Sequence, residues 1–547
     1  MQMMKNIFKF TVVGLAASTL LTSCIKEVQP TDRALEPQVT LESLITGVPA
    51  AMMKAGSAGF GEAWDFGYPS MHLSMDSMTG DLVIAGNIGY DWFQQWGTDT
   101  GLGSEYAAGA TFWLNYYAWI KAVNDVISKI DYDQISTLTE ENKHFLGFAY
   151  TYRAMFYLDL VRMYEFKENK YTKAEHLKGL GVPIVLPETK ESDAKFNPRA
   201  KVEDIYNTLI FPDLDKAENL LSSFQPTNRY AISTALVEGL RARAYLERAT
   251  ETNDQDLYAK AASCARSAIN LSGCTPLTQA EWEDPNNGFN NANSNNAWIW
   301  GLPLTSENVA NLLCFTAHMA IENTWSGYAF QVCRAINKNL YHSITRGDFR
   351  RHSWLDPDRK AYNYKSCRPD GTEYFRSMPD YVSIKFRPAQ GEFNQYKIGG
   401  AADHPGMRVE EMYFIEIEAL AHTEGIQSGI AHLNEFMNRY RMTDGRTYDC
   451  SPKAGNMLSF LNEMVLQKRI EFWGEGIAMF DMKRLDISTK RGYVGTNAPA
   501  SFRLNTDGRA PYWNFTIPRN EIQNNTALEN YNNPDPSTVK DDMLWKG

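Results

Sequence analysis

Between residues 113 and 163 the apolar positions recur at intervals of three and four. Trp113, Tyr116, Tyr117, Ile120, Val123 and Ile127 form one stripe; Phe145, Phe148, Ala149, Tyr152, Phe156 and Met163 form the next. Apolar residues at i, i+3, i+4 and i+7 mark one face of an α-helix. Two such stripes predict a helical hairpin turning at residues 131–138. A second pair is expected at 202–221 and 232–249, begun by Val202, Ile205, Tyr206, Leu209 and Ile210. Pro212 should kink its first helix, because proline lacks the amide hydrogen the helix needs. Gly239 and Ala242 leave room for helices to approach closely. Residues 258–271 extend the series. Residues 408–423 and 428–441 add another pair, with Val409, Met412, Tyr413, Ile417, Leu420 and Ala421 on one face. An N-terminal helix is read at 41–56 from Leu41, Leu44, Ile45 and Val48. Repeated helix pairs predict a mostly α, tetratricopeptide-like scaffold, with blocks at about 105–271 and 408–442.

The rest is different in kind. Residues 57–104 and 272–407 are rich in Gly, Asn, Asp and aromatic side chains and keep no period. They predict a large irregular, loop-rich part, and loops held on a rigid scaffold often carry function. Minor β structure is expected at 381–386, with a small hairpin around Asp507-Gly508 and 512–517.

The stretch 466–485, LQKRIEFWGEGIAMFDMKRL, mixes charge with bulk. Arg469, Glu471, Glu475, Asp481 and Arg484 alternate with Ile470, Trp473, Phe480 and Leu485. A surface helix would segregate its charges. Interleaving predicts buried charges, which are tolerated only when paired and hydrogen-bonded. Glu418, on the 408–423 helix, is expected to meet Arg469 or Arg484. The other reading of these charges is a catalytic acid–base cluster.

The N-terminus reads as an address. Lys5 and Lys9 precede an apolar and small-residue run from 10 to 21, the pattern of a signal peptide. It ends Leu21-Thr22-Ser23-Cys24, which resembles a bacterial lipobox. The expectation is cleavage after residue 23, lipidation of Cys24 and a tether over 24–40. The six remaining cysteines show no disulfide framework and are expected as free thiols.

The formal charge of −11 argues against nucleic acid, whose phosphates need a basic face. A phosphate-cradling loop, an H-E-x-x-H zinc pair and a G-x-S-x-G elbow are all missing. Glu140-Glu141 and Glu410-Glu411 sit on predicted helices and read as solvated or capping charges rather than glycosidase acids. No cofactor is expected. Asp356-Pro357-Asp358 offers carboxylates to a structural Ca²⁺ but lacks the twelve-residue loop pattern. The aromatics are more telling: 13 Trp, 28 Tyr and 27 Phe exceed what the helical stripes absorb. Sugar rings present apolar C–H faces to such side chains, and their hydroxyls need polar partners to replace water. The candidate glycan-binding residues are Trp92 with Asp91 and Gln95, Trp96, Trp325 with Asn323, Tyr328 and Trp354. Core packing competes for every one of these rings.

Residues 466–485 resemble the C-terminal signature of the RagB/SusD family, through Arg469, Ile470, Glu471, Phe472, Glu475, Gly476, Asp481 and Arg484. Gln467 and Ala478 depart from it. The helical runs, the Gly181-Val182-Pro183 turn, Arg153-Ala154, and Ile517-Pro518 with Glu521-Ile522 resemble further blocks. Glu529-Asn530-Tyr531-Asn532-Asn533-Pro534 replaces the family's usual close. The resemblance implies a single SusD-like domain over 41–547. It implies a non-catalytic, surface-exposed lipoprotein of the outer membrane that passes oligosaccharide to a SusC-like TonB-dependent β-barrel transporter. Peptide capture is the alternative within the family; a glycoside hydrolase and a pure helical scaffold are the alternatives outside it.

Overall fold

The first helix, α1 (Leu41–Met52), lays Ile45, Val48 and Met52 into the core as its stripe requires. The second, α2 (Tyr68–Thr79), falls inside the stretch expected to be loop. All twelve of its residues are buried, so no solvent face exists to impose a polar–apolar period. Pro69 opens it and Gly80, left-handed at φ 84°, closes it. Its serines bond back along the helix, Ser74 Oγ to Ser70 O at 3.0 Å and Ser77 Oγ to Leu73 O at 2.9 Å, which lets hydroxyls be buried without an orphan donor. The computed structural model describes residues 40–547 except positions 295 and 361. The expected signal peptide, Cys24 and the tether through residue 39 lie outside the described residues.

The remaining helices follow the apolar spacing. The hairpin is α3 (Ala107–Ile127) against α4 (Glu140–Tyr164). Thr139 caps α4 by accepting the Asn142 amide at 3.2 Å. Arg153 of α4 forks onto Asp213 of α5 (Phe211–Leu221) at 2.7 and 2.8 Å. The irregularity expected at Pro212 appears as a π-helical turn over Tyr206–Ile210 just before it. Next come α6 (Thr234–Thr252) and α7 (Gln255–Ser272), with Asn253 left-handed between them. Gly239 on α6 gives the close approach expected of it: a Cβ there would run into the Met407 sulfur. α7 packs on α8 (Val409–Thr423), and α9 (Ile426–Tyr440) returns along α8.

Among the described residues four short strands stand between the helices: β1 (Leu82–Ile84), β2 (Trp298–Leu302), β3 (Arg334–Ile336) and β4 (His404–Arg408). They form two antiparallel pairs, β1 with β3 in register Leu82↔Ile336 and β2 with β4 in register Trp298↔Arg408. Both join distant segments, so neither is the local hairpin expected from turn residues. Of the residues expected as β structure, Val382 and Ser383 make bridges, Val382 to Ala335 and Ser383 to Trp354, while Tyr381 is left-handed at φ 66°. The hairpin expected at 507–517 is not formed: Pro511–Trp513 is a 3₁₀ turn, and the Phe515 amide bonds to Met163 O at 3.1 Å.

Two helices carry the signature stretch, α10 (Met457–Glu471) and α11 (Ala478–Arg484). Gly474 and Gly476, at φ 81° and 78°, turn the chain between them. The interleaved charges are buried and paired. Glu471 accepts from Arg441 Nε and Nη2 at 2.8 Å each and from Arg350 Nη1 at 3.0 Å. Arg408 bridges Glu475 at 2.8 Å and Glu410 at 2.9 Å; Lys385 reaches Glu475 at 2.6 Å; Arg350 holds Asp348 at 2.7 Å. Four cations (Arg350, Arg408, Arg441 and Lys385) thus meet four carboxylates (Asp348, Glu410, Glu471 and Glu475), and the cluster is formally neutral. Burial would raise the Glu471 carboxyl, but Arg441, Arg408 and Arg350 hold it well below the usual carboxylate range. Glu471 is fully enclosed and every partner it meets is a protein donor, so the geometry gives these charges a structural role. α11 also reaches back to the helical half: Lys483 Nζ donates to the carbonyls of Arg162, Met163 and Glu165 at 2.8–3.0 Å, satisfying the C-terminal end of α4.

The six described cysteines are free, with Cys274, Cys314, Cys333 and Cys450 buried and Cys264 and Cys367 partly so. Among the described residues no helix is long and apolar enough to cross a membrane.

Candidate aromatic binding site

Pairing between β1 and β3 continues past the strands: the amides of Ala85, Gly86 and Asn87 bond to the carbonyls of Cys333, Val332 and Gln331 at 2.7–3.0 Å. This brings residues 85–92 beside the short helix Gly327–Val332. Asn87 caps a 3₁₀ turn, Ile88–Tyr90, by accepting the Gly89 amide at 2.9 Å. The chain then turns at Asp91, whose Oδ1 accepts the Phe93 amide at 3.1 Å and Arg334 Nη2 at 2.6 Å. Burial pushes the Asp91 carboxyl up, and Arg334 opposes the shift. Asp91 is enclosed and holds the turn; it cannot also contact a ligand, which corrects its assignment as a binding residue.

That turn leaves Trp92 facing outward, 42% exposed. Its ring meets Tyr328 at a centroid distance of 6.2 Å and 70°, an edge-to-face contact. Tyr328 is half-buried and stacks in turn on His318, 4.8 Å away at 20°. Burial, helped by Arg334, holds His318 well below its ordinary value, so the imidazole beneath Tyr328 is neutral. Tyr90 and Phe330, 44% and 37% exposed, flank the pair on the two adjoining segments. Neither belonged to the expected set. Tyr90 precedes Trp92 by two and Phe330 follows Tyr328 by two, so the signal was ring pairs at spacing two within aperiodic sequence. Asn87 and Gln94 are exposed nearby along the chain, and Gln95 and Gln331 are half-buried.

The other expected residues separate into supports and core. Asn323 is buried, its amide spent on Thr316 O, Ala320 O and the Ser326 amide at 2.7–3.0 Å. It positions Ser326, whose hydroxyl accepts the Tyr328 amide at 3.2 Å, and is not a ligand contact. Trp325 is half-buried, its ring laid over Gly399. Trp96 is 2% exposed, between Trp64 at 5.7 Å and Phe93 at 5.5 Å. Trp354 is fully enclosed, edge-on to Trp473 at 5.7 Å and 90°. Neither face of Trp96 or Trp354 is open to a sugar, so both expectations as platforms are corrected. A loop without helical period can still fold into core, and here it does.

These rings are continuous. From Tyr328 and His318 the contacts pass through Phe93, Trp96 and Trp64 to Phe60. The buried half is a rigid footing for the exposed half, which suits a platform that must be shaped before its ligand arrives. At Asp356-Pro357-Asp358 the first carboxylate is committed to protein donors: it accepts the Tyr341 hydroxyl at 2.5 Å, Arg351 at 3.4 Å and the Asp358 amide at 2.9 Å, and no group of three or more metal-ligating acids, histidines or cysteines forms among the described residues.

Comparison with known proteins bears on the family and the fold. The SusD family profile matches residues 337–537, and a profile described as starch-binding, associating with the outer membrane, matches residues 61–246. No curated protein sequence matches the chain. A SusD-like carbohydrate binding protein from Bacteroides vulgatus superposes with a TM-score of 0.67 at 20% identity, covering 89% of this chain and 96% of its own. A SusD superfamily protein from Bacteroides thetaiotaomicron gives 0.66 at 18%, covering 90% and 99%. NanU of B. fragilis gives 0.60 at 14%, covering 91% and 96%.

Proposed function

Because the chain belongs to the SusD/RagB family, we propose that it is a non-catalytic lipoprotein of the outer-membrane surface that captures oligosaccharide on the Trp92–Tyr328 platform. The observation that carries the reading is a 42% exposed tryptophan braced by a tyrosine, itself stacked on a neutral buried histidine. Two planar rings near right angles make a corner into which the C–H face of a pyranose fits. Asn87, Gln94 and Gln331, on the same segments, offer amides able to replace the water bonds that sugar hydroxyls give up.

In this reading Cys24 carries the lipid, and residues 24–40 tether the domain to the membrane. A SusC-like TonB-dependent barrel receives the captured glycan. Capture needs a moderate affinity, so that the ligand can be handed on, and a platform of few aromatic anchors supplies that. The test is a binding titration of the protein against a glycan panel and a peptide library, with Trp92→Ala alongside. Glycan binding that disappears in Trp92→Ala supports the reading. Peptide binding without glycan binding, or glycan binding unchanged in Trp92→Ala, refutes it.

A further inference from the structure

A cavity of about 330 Å³ opens where the lead-in to α6, the start of β4 and the loop around residue 390 come together. That volume lies within the roughly 300–1,000 Å³ range of small-ligand sites. Its walls are of two kinds. Leu304 and Ile398 give an apolar side. Opposite stand Tyr230, Asn290 and Asp403. The Tyr230 hydroxyl donates to Asp403 Oδ2 at 2.9 Å, and the Ala292 amide donates to the same oxygen at 2.9 Å. These bonds fix the polar wall in place.

Asn290 is the informative residue. It is 3% exposed. Its Nδ2 donates to Pro388 O at 2.9 Å and, more weakly, to Arg387 O at 3.4 Å, which sets the orientation of the amide. Its Oδ1 is thereby fixed as an acceptor, and no donor of the protein reaches it. A buried acceptor left without a donor costs about 1–3 kcal/mol. At the rim Gln390 holds a left-handed backbone, φ 58° and ψ 15°, which a non-glycine residue adopts only under constraint. Such strain gathers at ligand clamps. The lining contains one carboxylate, Asp403, and no cation.

We propose that this cavity is a second binding site, distinct from the Trp92–Tyr328 platform, and that it takes one neutral sugar ring. The ring's hydroxyl hydrogen supplies the donor that Asn290 Oδ1 lacks. Leu304 and Ile398 cover the C–H face. The lone carboxylate excludes uronic acids and other anionic sugars, because an uncompensated like charge would be brought beside it. Trp325 packs on Gly399, next to Ile398 of the cavity wall, and Tyr328 follows Trp325 by three residues. One short segment therefore joins the two sites. The choice of a sugar among polyols rests on the glycan-capture reading above; the existence of the site rests on the cavity.

Ligand-observed saturation-transfer NMR and calorimetry on the full-length protein test this, with glucose, galactose, mannose and glucuronate as probes and with parent, Trp92→Ala, Ile398→Trp and Asn290→Asp proteins. At least one neutral hexose should bind the parent and Trp92→Ala equally, and glucuronate should not bind. Ile398→Trp, which fills the cavity, should abolish hexose binding. Asn290→Asp replaces the Nδ2 donor that holds the side chain on Pro388 O with an acceptor, so the oxygen offered to the ring is no longer held in place and hexose binding should weaken at least about tenfold. If Ile398→Trp does not fold, Asn290→Asp decides alone. Hexose binding undiminished in the folded cavity variants, glucuronate binding as tightly as hexose, or no hexose binding at millimolar concentration overturns the proposal. Oligosaccharide binding lost in Trp92→Ala but intact in Ile398→Trp leaves the platform standing and removes the cavity; the reverse pattern removes the platform and leaves the cavity.

Discussion

Arg484 and Glu418 meet as a two-point ion pair, Nη1 to Oε1 at 2.5 Å and Nη2 to Oε2 at 2.8 Å, and this contact fastens α11 to α8. Arg484 also reaches Asp481 at 2.8 Å and the Thr250 hydroxyl at 2.6 Å. Arg469, the other arginine expected for Glu418, goes instead to Asp81, with Nε to Oδ2 at 2.8 Å. The signature stretch is therefore tied at one end to the helical array and at the other to the segment leading into β1.

Removing one partner of the Arg484–Glu418 pair leaves the other charged and enclosed. Arg484→Ala is expected to cost roughly 3–5 kcal/mol in chemical denaturation. Arg484→Met with Glu418→Leu should recover much of that loss, since apolar replacement of a whole buried pair is often neutral. Glycan affinity of the folded fraction should not change. A stable Arg484→Ala protein that has lost ligand would move these residues from scaffold to site.

Asp99 carries the opposite expectation. It is fully buried, left-handed at φ 50°, and neither carboxyl oxygen has a hydrogen-bond partner. Burial raises its carboxyl to about 7, with Lys540 opposing. The folded value thus lies above the unfolded one of about 3.9. Below about pH 4 both states are protonated and the group costs nothing. As pH rises from about 4 to 7 the unfolded chain releases the proton first, so folding loses stability, and the full cost is present above 7. At about 1.4 kcal/mol per pH unit of difference, that cost is on the order of a few kcal/mol. Asp99→Asn keeps the shape and tolerates the left-handed backbone. It should raise the melting temperature at pH 8 and have little effect at pH 4. Equal effects at both pH values would show that the carboxyl does not titrate with folding.

The pairing of Glu418 was legible because both partners sit in patterned sequence, one on a helical stripe and one in a dense charge–aromatic alternation. The helical blocks were legible for the same reason. α2 was not. With all twelve residues buried it has no polar face, and its serines and threonine read as loop composition. Only Pro69 and Gly80 at its ends gave a start and a stop. At the candidate site Trp92 and Tyr328, both singled out in the sequence, lie against each other, while Asp91 and Asn323, singled out beside them, are polar neighbours that fix the backbone.

The junction of α2 with the signature gives a sharper prediction. Gly476 stands at φ 78°, its amide donates to Asp76 Oδ2 at 2.8 Å, and a Cβ on it would overlap the His72 backbone. Both the conformation and the space exclude a side chain. Gly476→Ala should yield little soluble folded protein, while Gly425→Ala, at φ 98° and ψ 163° with open space around its Cβ position, should lose only the backbone cost of about 1–3 kcal/mol. Comparable yields and denaturation midpoints for the two would mean that α2 can shift away from the turn.

The last prediction separates the tryptophans that sequence alone grouped together. Trp354 is enclosed against Trp473 and Tyr341, and deleting such a ring leaves a cavity the core cannot fully close. Trp354→Ala should cost roughly 3–5 kcal/mol, and Trp96→Ala a similar amount, since Trp96 underlies the ring chain that supports Tyr328. Trp92 has its outer face in solvent and its inner edge on Tyr328. Trp92→Ala should change stability by no more than about 0.5 kcal/mol. Its effect belongs in binding, where a single aromatic anchor can carry 2 kcal/mol or more, about a thirtyfold loss of affinity. The two classes therefore predict opposite pairs of readings from one experiment, denaturation and glycan titration on each variant. Trp354→Ala that unfolds early yet binds normally when folded, beside Trp92→Ala that melts normally and binds weakly, fits the platform. Trp92→Ala binding as the parent does would place the ligand elsewhere.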